Sequence, residues 1–145
     1  MNYFELKTPR DMLDKAKREH ERLNTEFNID NVFNYFVTTY HIQDYLRTTN
    51  PVIQAELEAF LKDQDLKDCR DLCDKGKHLK LTKKGRTDPM TRAMRGTING
   101  SPFNTIGINA GNKWVMYLDN RIVDIKPLAR RVLAKWDEFF LQHNL

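Results

Sequence analysis

A chain of 145 residues is long enough for one domain with a sizeable core, and 40% hydrophobic with 30% charged residues is the balance of a globular protein rather than a disordered one. No apolar run approaches the roughly 20 residues a bilayer span needs, and the opening MNYFELKTPR lacks the basic-then-apolar order of a signal peptide, so a cytoplasmic location without membrane contact is expected. The net charge of +4 is unevenly spread: Lys75 to Arg95 carries eight basic residues against Asp88 alone, a local +7 that leaves −3 on the remainder.

The first helix announces its start. Thr8 is a good N-cap, Pro9 suits the first helical position, and Asp11 stands three after the cap, where a carboxylate meets the positive end of the helix dipole. Met12, Ala16, Leu23 and Phe27 then make a thin apolar stripe, with His20 on it as a partly covered scaffold residue. A second helix is expected from Asn28 or Asp30 to about Leu46, with Phe33, Phe36, Val37 and Tyr40 as its main buried face. Asp44 continues that stripe, so it needs a cation from another helix unless it lies in the exposed last turn. Asn50 and Pro51 open a third helix with the stripe Ile53, Leu57, Phe60 and Leu61. Few polar residues separate it from the next helix, which predicts an antiparallel pair.

The stretch from Leu66 to Leu81, LKDCRDLCDKGKHLKL, gathers more chemistry-bearing residue types than any other. As a helix it has an apolar side (Leu66, Cys69, Leu72, Cys73) and a polar side (Arg70, Asp71, Asp74, His78), with Asp65 and Asp68 as an acidic start. At 100° per residue Asp71, Asp74 and His78 fall within about 60° of one another, facing away from the cysteines. Gly76 is a candidate early stop, which would move Lys77 and His78 onto a turn. The two cysteines, four apart, are read as reduced core thiols, because a disulfide is poorly shaped at that spacing in a helix and a zinc site needs further soft ligands nearby. Asp, Asp and His at this spacing occur on any exposed polar face, so neither metal nor cofactor is expected.

Past Leu81 the helical period ends. Thr82 to Gly100 reads as a long basic loop, Phe103 to Ile108 and Lys113 to Leu118 as short strands, and Asp119-Asn120 as a turn into Arg121 to Ile125. Trp114, Met116 and Leu118 should share one sheet face, with Val115 and Tyr117 on the other. The last helix, about Lys126 to His143, has Asp124 as a cap and a heavy apolar face of Leu128, Val132, Trp136, Phe139 and Phe140; His143 is expected in solvent. The fold class that follows is mainly α: an antiparallel bundle of about five helices in one domain, with a small β-hairpin or three-stranded sheet inserted before the last helix.

An Arg followed by an acidic residue, then a helix-ending Lys-His, inside an antiparallel helical bundle, resembles the HEPN superfamily; the matching residues are Arg70, Asp71, Lys77 and His78. The resemblance implies an RNA-directed protein of toxin or defence type, a metal-independent endoribonuclease in which two copies meet as a homodimer to form the cleavage site. Chemistry suits those residues: His78 titrates near neutrality and can move the proton of a 2′-hydroxyl, while Arg70 is always charged and can fork onto phosphate. Asp71 or Asp74 could orient either. Lys75, Lys77, Lys80, Lys83, Lys84 and Arg86 would hold the RNA backbone. Two alternatives stay open. An Arg70–Asp74 surface ion pair at i,i+4 is the structural explanation of the same residues, and a non-catalytic phage or defence regulator, docking on a protein or nucleic acid through the basic loop, is the alternative function.

Overall fold

The computed structural model describes residues 5–78, 90–94, 113–118 and 121–145, with the backbone alone at 76–78, 90–94, 113 and 118. Five helices and a small sheet follow in the order α1 (Pro9–Thr25), α2 (Ile29–Thr49), α3 (Gln54–Phe60), α4 (Gln64–His78), β1 (Met90–Met94), β2 (Lys113–Leu118), β3 (Arg121–Asp124) and α5 (Ile125–Gln142). This is the mainly helical bundle with a small antiparallel sheet before the last helix that the sequence pattern predicts.

The start of α1 is a complete capping box. Thr8 Oγ1 accepts the Asp11 N–H at 3.1 Å, and the Asp11 carboxylate accepts the Thr8 N–H at 2.8 Å and the Lys7 N–H at 2.9 Å. Those backbone hydrogen bonds hold the Asp11 carboxyl below its ordinary value. Asn28 caps α2 through its side chain, and Asn50, in the left-handed region at φ 53°, ends it.

The buried face of α2 is rotated from the expected one. Val32, Tyr35, Phe36, Thr39, Ile42 and Leu46 are buried, whereas Phe33 is exposed and Val37 only half-buried. The helix has an apolar or aromatic residue on almost every side, so its own pattern selects a face weakly, and contact with α1 on one side and α4 on another decides it. Asp44 accordingly lies in the open with His41 at 3.8 Å, rather than meeting a cation from another helix. Ile53, placed on the α3 stripe by sequence, is exposed at the helix N-cap. The helix α4 packs chiefly against α2 and α5, not against α3, because α3 is only seven residues long.

The heavy face of α5 forms the centre of the core as expected. Trp136 meets the rings of Phe60 at 4.8 Å, Phe139 at 5.9 Å and Phe140 at 6.2 Å. The Tyr35 hydroxyl donates to the Ala129 carbonyl, linking α2 to α5 inside the core, and burial pushes its pKa well above the usual phenol value. Near the terminus His143 is not in open solvent: its ring lies 4.3 Å from that of Phe139, with Nδ1 3.5 Å from Glu56. His20 sits half-buried at 5.4 Å from the Tyr35 ring, and its pKa is lowered by burial and then by the charge of Arg130.

The three strands form an antiparallel sheet in the order β1-β2-β3, with Met90 opposite Tyr117, Met94 opposite Lys113, and Leu118 opposite Arg121. The strand β1 lies within the segment expected to be loop. Its sequence, MTRAM, has little β-branched or aromatic character, so it forms by pairing with β2 rather than by its own propensity. Consecutive residues Val115 and Met116 are both buried, so the central strand is covered on both faces. The candidate strand from Phe103 to Ile108 and the Asp119-Asn120 turn lie outside the described residues.

Candidate functional site

The helix α4 is set in place by its acidic residues. Asp63 caps it, its Oδ1 accepting the Asp65 N–H at 2.8 Å and the Leu66 N–H at 3.4 Å. Lys135 of α5 reaches both Asp63, at 2.7 Å, and Asp65, at 2.8 Å, and Arg131 one turn earlier forks onto Asp65 with two bonds of 3.1 Å. Burial pulls the Asp65 carboxyl up, but hydrogen bonds from Arg131 and Lys135 outweigh it and leave the pKa lowered. One turn further on, Asp68 is 1% exposed and receives Arg121 of β3 through bonds of 2.9 and 3.2 Å, with Gln64 at 2.9 Å. The acids read in sequence as a helix start are therefore the clamps that fasten α4 to α5 and to the sheet.

The apolar side of α4 is as the sequence predicts. Leu66, Cys69, Leu72 and Cys73 are buried, and both cysteines are free thiols. Burial pushes the Cys69 thiol up to about 12, and its sulfur lies 3.2 Å from the Thr39 hydroxyl. Such a thiol is inert at neutral pH.

The polar side departs from expectation at one position. Asp71 is buried at 7% exposure, and the Arg70 guanidinium donates to it at 3.1 Å. The wheel placed Asp71 towards solvent because it considers α4 alone; the neighbours that cover α4 enclose more of its circumference. Arg70, Asp74 and Lys75 are half-buried. The helix continues through Gly76 to His78, so the glycine does not end it early. Arg70, Asp74 and His78 thus follow one another at i, i+4 and i+8 along one continuous helix, with a rise of about 12 Å from first to last. The side chains of Lys77 and His78 lie outside the described residues, as do Lys80, Lys83, Lys84 and Arg86 altogether.

Arg70 also borders a cavity of about 260 Å³ between α2, α4 and α5, closed inside by Thr39, Tyr40, Gln43, Leu66, Cys69 and Trp136. Its mouth carries Arg47, Lys62 and Lys67 beside Arg70, against Glu58. Arg47 is taken up by Glu58 at 2.6 Å and Gln43 at 3.1 Å, while Lys62 and Lys67 form no ion pair among the described residues. The Trp136 indole N–H is buried without a hydrogen-bond partner among the described residues, a situation that costs about 1–3 kcal/mol. Among the described residues no group of three or more His, Cys, Asp or Glu is placed to hold a metal ion, and no helix is long and apolar enough to cross a membrane.

The partners of the acidic start, Arg121, Arg131 and Lys135, the capping role of Asp63 and the cavity mouth were missed in the sequence. Arg131 and Lys135, one turn apart on α5, both meet Asp65, and Lys135 also meets Asp63, a legible signal once α4 and α5 are known to be neighbours. No protein-family model, curated protein or solved structure matches this chain.

Proposed function

We propose that the chain is an RNA-directed, HEPN-like helical protein whose working element is α4. The observation that carries the reading is the continuity of α4 to His78, which keeps Arg70, Asp74 and His78 on one helix and joins it directly to the basic run from Lys75 to Arg86. In a metal-independent cleavage, His78 takes the proton of a 2′-hydroxyl, the freed oxygen attacks the adjacent phosphorus, and the 5′-oxygen leaves with a proton, giving a 2′,3′-cyclic phosphate and a 5′-hydroxyl. Arg70 offsets the charge that gathers on the phosphorane oxygens, and its bond to Asp71 fixes its direction. The 12 Å rise between Arg70 and His78 suits a site shared by two copies, in which one histidine acts as base and its counterpart as acid.

The test is incubation of end-labelled single-stranded RNA with the protein and a chelator. The reading expects cyclic-phosphate ends, and a loss of about 10²–10³-fold in Arg70→Ala and His78→Ala variants that keep their helical circular dichroism. Light scattering should give twice the chain mass. The non-catalytic binding module is favoured by the Arg70–Asp71 pair, in which the guanidinium Nε–H is already taken by a buried carboxylate. It predicts RNA or protein binding without any cleavage, and a full set of uncut RNAs would select it.

A further inference from the structure

Phe33 stands apart from the other aromatic residues of α2. Tyr35 and Phe36 are buried and Tyr40 and Tyr45 pack against the core, whereas Phe33 is 37% exposed and its ring meets no other ring or cation among the described residues. The contacts between α2 and α4 fix where it lies. Cys69 Sγ is 3.2 Å from the Thr39 hydroxyl and 3.8 Å from the Phe36 carbonyl, while Leu66, three residues earlier, borders the cavity with Gln43. Moving up α4 is therefore moving down α2, and the two helices are antiparallel. Tyr40 borders the cavity beside Arg70, and Phe33, seven residues before it, returns to the same side of α2 within about 20° and about 10 Å along the axis. That sets Phe33 level with Asp74 and Lys75, on the stretch of α4 between Arg70 and His78.

The charges there suit a polyanion. Arg70 gives its Nε–H to Asp71, and its two Nη groups have no partner among the described residues. Lys67, one turn earlier, forms no ion pair among them, and the basic run begins at Lys75, so cations outnumber Asp74 along this stretch. An exposed ring beside unengaged cations is the combination that holds single-stranded nucleic acid: the cations meet phosphates and the ring meets the face of an unpaired base. Resting on the RNA reading above, we infer that Phe33 is the base-stacking residue of that site and holds one unpaired base next to the phosphate that Arg70 contacts. It selects single-stranded over duplex RNA, because in a duplex the base faces are stacked on their neighbours and closed to the ring. It accepts any base, since every base has a π-face.

Fluorescence anisotropy tests this with a labelled single-stranded RNA and the same strand annealed to its complement. The full chain carries His78→Ala throughout, so that the RNA stays whole, and is compared with added Phe33→Ala, Phe33→Leu or Phe33→Trp, each shown to keep its helical circular dichroism. The single strand should bind about tenfold more tightly than the duplex. Phe33→Ala and Phe33→Leu should each weaken the single strand about tenfold and the duplex little, and Phe33→Trp should keep the parent affinity. The salt slope should stay the same in all of them, because no charge is removed. A single strand held equally by the parent, Phe33→Ala and Phe33→Leu overturns the stacking role and leaves the RNA reading standing, whereas RNA that no form binds overturns both. If Phe33→Ala turns a dimer into a monomer by light scattering, a second copy covers this face and the inference is overturned.

Discussion

Removing the Arg121 guanidinium is the sharpest probe of how α4 is held. Asp68 is 1% exposed and takes two charge-assisted bonds from Arg121, with Gln64 as its remaining partner. Each such bond contributes about 1.5–3 kcal/mol, and breaking a fully buried pair costs about 3–5 kcal/mol. The Arg121 side chain is 42% exposed, however, so water reaches its outer edge and will solvate part of the abandoned carboxylate. Arg121→Met, which keeps the aliphatic stem, should therefore lose about 2 kcal/mol, a Tm shift of about 4–8 °C for a chain of this length. Asp68→Asn should cost a similar amount. The double variant should lose much less than the sum, with a coupling energy of about 1–2 kcal/mol from urea unfolding curves. Additive losses, or a single variant as stable as the parent, would refute the idea that this pair ties the sheet to α4.

Other consequences follow from the same contacts. Thr8→Ala removes one half of the capping box and should cost about 1 kcal/mol by urea unfolding, whereas Thr8→Ser should cost little. Because Asp65 has a lowered pKa, its contribution is complete above the unfolded value of 3.8 and is lost as pH falls through the folded value. Asp65→Asn should thus be less stable than the parent at neutral pH and lose less on acidification below 3.8, read as the difference between their pH–stability curves. Tyr35→Phe removes the hydroxyl bond to the Ala129 carbonyl, which keeps its helical partner within α5, and should cost about 0.5–1.5 kcal/mol without changing the helical spectrum. Cys69 and Cys73 are both buried, so a thiol reagent at pH 8 should label neither until the protein is unfolded, and native labelling at the denatured rate would contradict this packing.

How far each element was legible depends on whether its signal was local. The α1 cap, the α5 core face and the apolar side of α4 could be read because each rests on residues a few positions apart: Thr8 with Asp11, Trp136 with Phe140, Cys69 with Cys73. The α2 face could not, because Phe33, Tyr35, Phe36, Val37 and Tyr40 surround the helix and only its neighbours choose among them. Nor could β1, whose strand exists through pairing with β2 across a long stretch of chain. The candidate site divides along the same line. Arg70 and His78 stand out in a local pattern, while burial of Asp71, the Arg121 clamp on Asp68 and the cavity behind Arg70 all arise from contacts between distant segments. A helical wheel describes one helix in isolation, and Asp71 shows what it leaves out.

The most direct measurement on the RNA reading is the affinity for a labelled single-stranded RNA as a function of salt concentration. If Lys75, Lys77, Lys80, Lys83, Lys84 and Arg86 each meet a phosphate, the logarithm of the association constant should fall against the logarithm of salt with a slope of about −4, at about 0.7 per contact. Replacing two of these lysines by alanine should reduce the slope by about 1.4 and weaken all sequences alike. An RNA that does not bind at low salt, or binds with a slope near zero, would contradict a phosphate-holding role for α4 and the basic run that follows it.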